Sequence, residues 1–283
     1  MRSFLKWAGS KFAIRNRILN HLPPGNRLIE PFGGSAVIFL NSQHYNSYLI
    51  AENNPDLIDI YQFLQKEGND FIQDCRHYFK PENNHVDQYL LFRKLFNETL
   101  GVPERKRERA MLFIYLNRHG YNGLCRYNSS GLFNVPFGRY INPELRETNM
   151  LYFHHKSQNA IFKYADFRET FAMAKKGDVI YCDPPYVPLS KTAKFSEYVA
   201  KEFSASDQEE LVKLAKKFAK KGIPVIISNH DTPVTRQYYE DAIITQLDVS
   251  RHISCNIKNR KKVSEIIAVF GMPETNNSSI IAK

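Results

Sequence analysis

The stretch Tyr181-Cys-Asp-Pro-Pro-Tyr186 concentrates residue types able to do chemistry. Asp183 follows the run Asp178-Val-Ile-Tyr-Cys182, which reads as a short parallel strand buried on both faces. Pro184 and Pro185 lack a backbone N–H and have a fixed φ, so the strand must stop there in a stiff, extended turn. Open α/β sheets bind their ligands at strand ends of this kind. A carboxylate, a backbone carbonyl outside the ladder and the aromatic face of Tyr186 together suit a flat molecule bearing an amino group. The plain alternative is a tight turn between a strand and a helix.

Two further groups carry weaker signals. Glu30-Pro-Phe-Gly-Gly-Ser-Ala36 is a glycine turn leading into a helix, which lets backbone approach a ligand at a helix N-terminus. It is not a complete G-x-G-x-x-G, and Ala8-Gly-Ser-Lys-Phe12 lacks the spacing and the hydroxyl of a phosphate-cradling loop. Glu52 closes the next expected strand, where a carboxylate can accept hydrogen bonds from both hydroxyls of a ribose. Farther on, the basic and aromatic stretch from Tyr121 to Tyr140 includes Arg126, whose planar fork matches a guanine edge. Taken singly, glycine turns of this sort are as often packing devices.

The elements that must position these groups follow from periodicity. A helix is expected over Lys11–Leu22, then a strand over Arg27–Phe32, a helix over 36–42 and a strand over Tyr48–Ala51. Asn54-Pro55 is a helix start, with a capping side chain and a proline in the first turn. From there to about Tyr140 the pattern is amphipathic helices without strands, then a loop-rich stretch with a hairpin turn at Asn128-Ser-Ser-Gly131. Strands return at Ala160–Tyr164, Asp178–Cys182, Pro224–Ser228, Ile244–Val249 and Glu265–Phe270, with a helix over 207–222. The fold class is therefore α/β, a sheet interrupted by a helical and hairpin insertion.

Composition narrows the partners. The 283 residues are 43% hydrophobic, enough for a sizeable core, and carry a net charge of +10 that favours a polyanionic partner. Four widely spaced cysteines without a C-x-x-C pair, and nine histidines without H-x-x-x-H, give no zinc site or disulfide framework and no metal. The N-terminus has no apolar signal region and no segment is long and apolar enough to span a membrane, so a soluble cytoplasmic protein without a membrane partner is expected.

Joined together, these motifs resemble the DNA adenine methyltransferase (Dam) family. The matching stretches are FLKWAGSK, EPFGGSAVIFLN, YLNRHGYNGLCRYN, FNVPFGRY, YCDPPY, ISNHD and RKKV, spread over nearly the whole chain in the family's order. Ala36 departs from the family, which often has a second glycine there, and Glu52 stands where the family often has Asp. The resemblance implies a Rossmann-like class I methyltransferase sheet, with S-adenosyl-L-methionine as methyl donor and S-adenosyl-L-homocysteine as product. It implies catalytic residues 1–54 and 146–271, a target-recognition insert over 55–145, and a flexible tail over 272–283. Trp7, Lys11, Phe32, Gly34, Glu52 and Asp183 would hold the cofactor. Asp183 and the Pro184 carbonyl would hold the amine of a flipped adenine, with Tyr186 stacked on the base. Lys6, Tyr121, Asn122, Leu124, Arg126, Pro136 and Tyr140 would read or wedge into double-stranded DNA at GATC, and Arg260 and Lys261 would touch phosphates. A monomer is expected. Competing readings keep the chemistry on RNA, on another DNA sequence or on a protein amide, or retain DNA binding without catalysis.

Overall fold

The structure, a computed structural model, describes residues 1–186, 203–249 and 263–271. Its strands are β1 (Arg27–Glu30), β2 (Ser47–Glu52), β3 (Ala160–Tyr164), β4 (Asp178–Cys182), β5 (Val225–His230), β6 (Ile243–Val249) and β7 (Val263–Phe270). The described α-helices are α1 (Arg15–His21), α2 (Val37–Asn41), α3 (Pro55–Glu67), α4 (Asn69–Arg76), α5 (Val86–Glu98), α6 (Lys106–His119), α7 (Glu147–Lys156), α8 (Phe167–Ala172), α9 (Ala205–Lys220) and α10 (Pro233–Tyr238). The seven strands follow the order β3-β2-β1-β4-β5-β7-β6, the Rossmann-like α/β arrangement expected from the sequence.

The chain divides into two compact units. One comprises Met1–Ala13, Gly34–Asn41 and Glu52–Tyr164; the other comprises Ile14–Gly33, Ser42–Ala51 and Ala165–Lys283. The first unit differs in extent from the 55–145 span expected from sequence, and side chains within that span bond backbone outside it. Asn117 both accepts from the Lys6 amide and donates to the Lys6 carbonyl, while Gln65 of α3 donates to the Ala160 carbonyl.

In the second unit, β1 runs parallel to β2 and β4, and β4 runs parallel to β5. β7 lies antiparallel to both β5 and β6. The strand order therefore reverses between β1 and β4, the switch point at which such sheets leave a crevice beyond their carboxyl ends. Every residue of β4 and β5 is buried, in keeping with the apolar runs Val179–Tyr181 and Val225–Ile227 within them. Leu211, Val212, Ala215 and Phe218 of α9 recur at helical spacing and pack with Ile180, Val225 and Ile227 in one core. A Ser204–Asp207 capping box starts that helix.

The first unit is helical. Asn54 caps α3 by accepting from the Asp56 amide, with Pro55 at the first position, as the sequence predicts. Tyr61 of α3 stacks on Phe153 of α7 at 4.9 Å, and Phe4 meets both rings edge-on. The expected helix over Lys11–Leu22 is shorter, since Lys11–Ile14 is a 3-10 turn ahead of α1. The hairpin turn forms, with Gly131 (φ +73°) donating to the Asn128 carbonyl, and its arms are joined by Asn128 N–H to the Leu132 carbonyl and Asn134 N–H to the Arg126 carbonyl around the Tyr127–Phe133 bridge. Side chains cover the outer edge of the second arm: Asn97 bonds both backbone groups of Phe133, and Tyr89 donates to the Val135 carbonyl. Among the described residues no helix is long and apolar enough to cross a membrane.

Candidate active site and nucleic-acid interface

At the end of β4 the two prolines turn the chain out of the sheet, and neighbouring elements hold the acid, the prolines and the tyrosine in place. Ser228 of β5 is fully buried and donates to Asp183 Oδ1 at 3.0 Å. Because that hydroxyl hydrogen is committed to the acid, the buried Tyr181 hydroxyl is the donor in its own 2.9 Å bond to Ser228 Oγ. Burial, reinforced by Asp183, raises the Tyr181 phenol well above its ordinary range and keeps the proton on this donor. Gln208 of α9 donates to the Pro185 carbonyl at 2.9 Å.

Tyr186 is fixed at both its hydroxyl and its ring. The hydroxyl donates to Glu265 Oε2 at 3.0 Å, and the ring meets His230 edge-on, with centroids 4.4 Å apart. Glu265 and His230 are register partners across the β5–β7 pair. Burial, with Asp183 and Glu265 nearby, raises the Tyr186 phenol as well. Beyond β1, Phe32 stacks on Phe167 at 5.6 Å and meets Phe203 edge-on. The next residue, Gly33, donates to the Ala51 carbonyl; a Cβ there would come within 2.5 Å of the Ile50 side chain.

Within the first unit, Gly34 donates to Glu52 Oε2 at 2.9 Å, and the Asn53 amide donates to Glu52 Oε1 at 3.0 Å. Tyr61 donates to the Gly34 carbonyl. Gly34 has φ +45°, and a Cβ there would lie 3.1 Å from the Trp7 indole nitrogen. The turn thus brings Trp7, Gly34 and Glu52 together. Lys11 is buried and donates to the Gly9 carbonyl at 2.9 Å. Ala36, the departure from glycine, has φ +56° and is fully buried. This donor set fits the adenosyl cofactor by type: a carboxylate for ribose hydroxyls, an indole face, and a glycine where a side chain would strike that indole.

The same unit gathers most of the expected DNA-reading residues. Lys6 Nζ donates to the Arg118 carbonyl at 3.0 Å and lies 3.5 Å from the centre of the Tyr140 ring. The Tyr140 hydroxyl accepts from the Asn122 amide at 2.9 Å, and Tyr121 N–H donates to the Pro136 carbonyl at 2.9 Å. Leu124 N–H donates to the Tyr121 carbonyl. Tyr121, Asn122, Arg126 and Pro136 are exposed, whereas Phe133 and Val135 are buried. Leu124 and Tyr140 are half-buried. Arg126 donates through Nε to Asn134 Oδ1 at 2.7 Å and through Nη2 to the Asn134 carbonyl, which orients its guanidinium. Burial, then Arg118 and Arg146, lowers the Lys6 pKa to about 8. Arg260 and Lys261 lie outside the described residues.

Sequence reading missed Ser228, Glu265 and His230 as supports of the strand-end acid and tyrosine. It also missed Asp56, Arg109 and Tyr127, which join in one buried network. Ser228 and His230 lie in the Ile-Ser-Asn-His-Asp stretch, so the motif was visible while its partners were not.

The family model for D12 class N6 adenine-specific DNA methyltransferase matches residues 7–253. The DNA adenine methylase of Serratia marcescens is 47% identical over 270 residues, covering 95% of this chain and 98% of that protein. The DNA adenine methylase of Vibrio cholerae serotype O1 is 46% identical, covering 95% and 96%. That of Escherichia coli K12 is 44% identical, covering 95% of each.

Proposed function

The chain belongs to the D12 class of N6 adenine-specific DNA methyltransferases, and on that footing we propose that it methylates a flipped-out adenine in duplex GATC, using S-adenosyl-L-methionine. The observation that carries this reading is the Asp183 carboxylate at a proline-stiffened strand end, oriented by Ser228 and with Tyr186 anchored beside it. In this reading Asp183 and the Pro184 carbonyl accept the two hydrogens of the adenine amine. That draws the nitrogen lone pair out of conjugation with the ring. Tyr186 stacks on the extruded base, held in orientation by Glu265 and His230.

The donor, when bound, supplies a methyl group on a sulfonium. That chemistry would move the methyl from the sulfur to the amine nitrogen, leaving a neutral thioether, and the nitrogen would shed one proton. Asp183 or solvent accepts that proton, and the acid's main work is alignment, which is worth up to ~7–11 kcal/mol of a barrier when good. Trp7, Lys11, Phe32, Gly34 and Glu52 hold the donor, with Glu52 on the ribose. Lys6, Tyr121, Asn122, Leu124, Arg126, Pro136 and Tyr140 of the recognition insert, residues 55–145 together with Lys6, read the duplex or wedge into it. The protein acts as a monomer in the cytoplasm, and its affinity for DNA falls steeply with salt.

The test is transfer of labelled methyl from S-adenosyl-L-methionine to two short duplexes, one containing GATC and one with those bases scrambled. Label on the GATC duplex alone is expected. Label on both would remove the sequence assignment, and label on neither would turn attention to RNA.

A further inference from the structure

Arg126 lies between two residues that are both anchored in the interior. Tyr127 donates to Asp56 Oδ2 at 2.5 Å, and Cys125 Sγ lies 3.7 Å from the Tyr127 hydroxyl. Asp56 is already fixed by Arg109, which donates to both carboxylate oxygens and also, at 2.7 Å, to the Phe96 carbonyl. The Arg109 guanidinium lies 3.8 Å from the centre of the Phe96 ring, and both members of the pair are buried. On the other side, Asn54 Nδ2 contacts Cys125 Sγ at 3.6 Å while its Oδ1 caps α3. The residue holding this cap comes two positions after Glu52. The N-cap and first turn of α3 thus hold the recognition loop on either side of Arg126. Burial pushes the Cys125 thiol up to about 12, so its contacts here are those of a neutral thiol.

We propose that Tyr127 and Asp56 are positioning residues for sequence reading: they fix the loop backbone so that Arg126 presents its guanidinium to one base pair in a single register. This rests on Arg126 being the base reader. A guanidinium reads a base by two parallel hydrogen bonds, and an error of a few tenths of an ångström in the backbone loses one of them. Asn134 orients the side chain, while Tyr127 and Cys125 fix the backbone that carries it.

The test is a double-mutant cycle with Tyr127→Phe and Arg126→Ala, read as the ratio of methylation rates on GATC and on duplexes altered at one base pair. The Phe ring keeps its edge contact with Phe133 and loses only the hydroxyl. Tyr127→Phe is expected to lower the ratio roughly tenfold, the scale of a hydrogen bond to a charged group. Cofactor affinity should stay near wild type, and the fall should come from a slower GATC rate, because the lost bond is one made to the cognate base pair. In the Arg126→Ala background the same change should do nothing further, because the effect passes through Arg126. Cys125→Ala, a second route to loosening the loop, should act in the same direction with a smaller effect. An unchanged ratio in Tyr127→Phe, or an equal fall in both backgrounds, would overturn the positioning role alone. An unchanged ratio in Arg126→Ala itself would remove the base-reading premise instead.

Discussion

Asp183 in the second unit and Lys6 in the first both carry charge and lie against hydroxyl, carbonyl or ring partners, yet their surroundings differ in kind. Asp183 follows a strand buried along its whole length and receives a hydrogen bond from a fully buried serine, itself backed by a buried tyrosine. Lys6 is half-buried among other cations, and Arg118 and Arg146 both oppose its charge. The first arrangement supplies donors to an anion and fixes its direction, as a group that must align a reacting atom requires. The second gathers like charge whose mutual repulsion falls when a polyanion arrives. One is finished before substrate comes; the other is completed by it.

That contrast can be broken most sharply at the acid. Asp183→Ala should lower methyl transfer at least about a hundredfold, far more than it weakens binding of the donor. Single-turnover rates alongside calorimetric titration of the donor would check this, and residual activity near a tenth of normal would refute it. Ser228→Ala should lower kcat about tenfold with little change in KM for DNA, the scale of one hydrogen bond to a charged group. A change in KM alone would mean that Ser228 supports binding rather than alignment.

On the cationic side the handle is pH. Free Lys6 loses its proton near pH 8, so charge needed by DNA is fully present below that value and must be restored by proton uptake above it. DNA affinity should therefore fall as pH rises, by up to about tenfold at pH 9, one unit above the pKa. Lys6→Arg should flatten the curve, and an equal slope in both proteins would place the titration elsewhere. The same shift has the opposite sign for folding. The lysine pKa is below its unfolded value, so its burial penalty is present in full below pH 8 and is relieved between there and 10.5.

The smallest effect is expected at Ala36. Its left-handed backbone costs ~1–2 kcal/mol, against which glycine would cost ~0.4–1 kcal/mol in unfolded-state entropy and about 0.8 kcal/mol in a lost buried methyl. Ala36→Gly should therefore melt within a few degrees of wild type, as checked by thermal unfolding. A marked loss of stability would show that the methyl is tightly packed at this φ of +56°.

The sheet was legible because buried strands leave continuous apolar runs, and the Asn54-Pro55 start was legible because capping is local chemistry. Asp183, Gly34 and Glu52 stood out because their types and neighbours are unusual for plain strand ends. Pairing across sequence lay hidden. Ser228 bonds an acid 45 positions away, and Tyr127 bonds one 71 positions away. Serine and tyrosine residues are common enough that no local pattern marks these two. The hairpin turn was legible, but nothing in its own residues showed that Asn97 and Tyr89 would bond the outward backbone groups of its second arm.

The placement of β7 between β5 and β6 has a consequence for how the protein is made. Glu265, the anchor of Tyr186, is translated several seconds after the tyrosine at ~5–20 residues per second. Until β7 emerges, the buried strand β5 has one side without its partner, an edge open to pairing with other chains. A chain still on the ribosome can therefore carry the whole Asp-Pro-Pro-Tyr segment without the support that fixes its tyrosine. Completion of that site waits on β7, so a chain that has not yet made β7 carries an open β5 edge and an unanchored Tyr186.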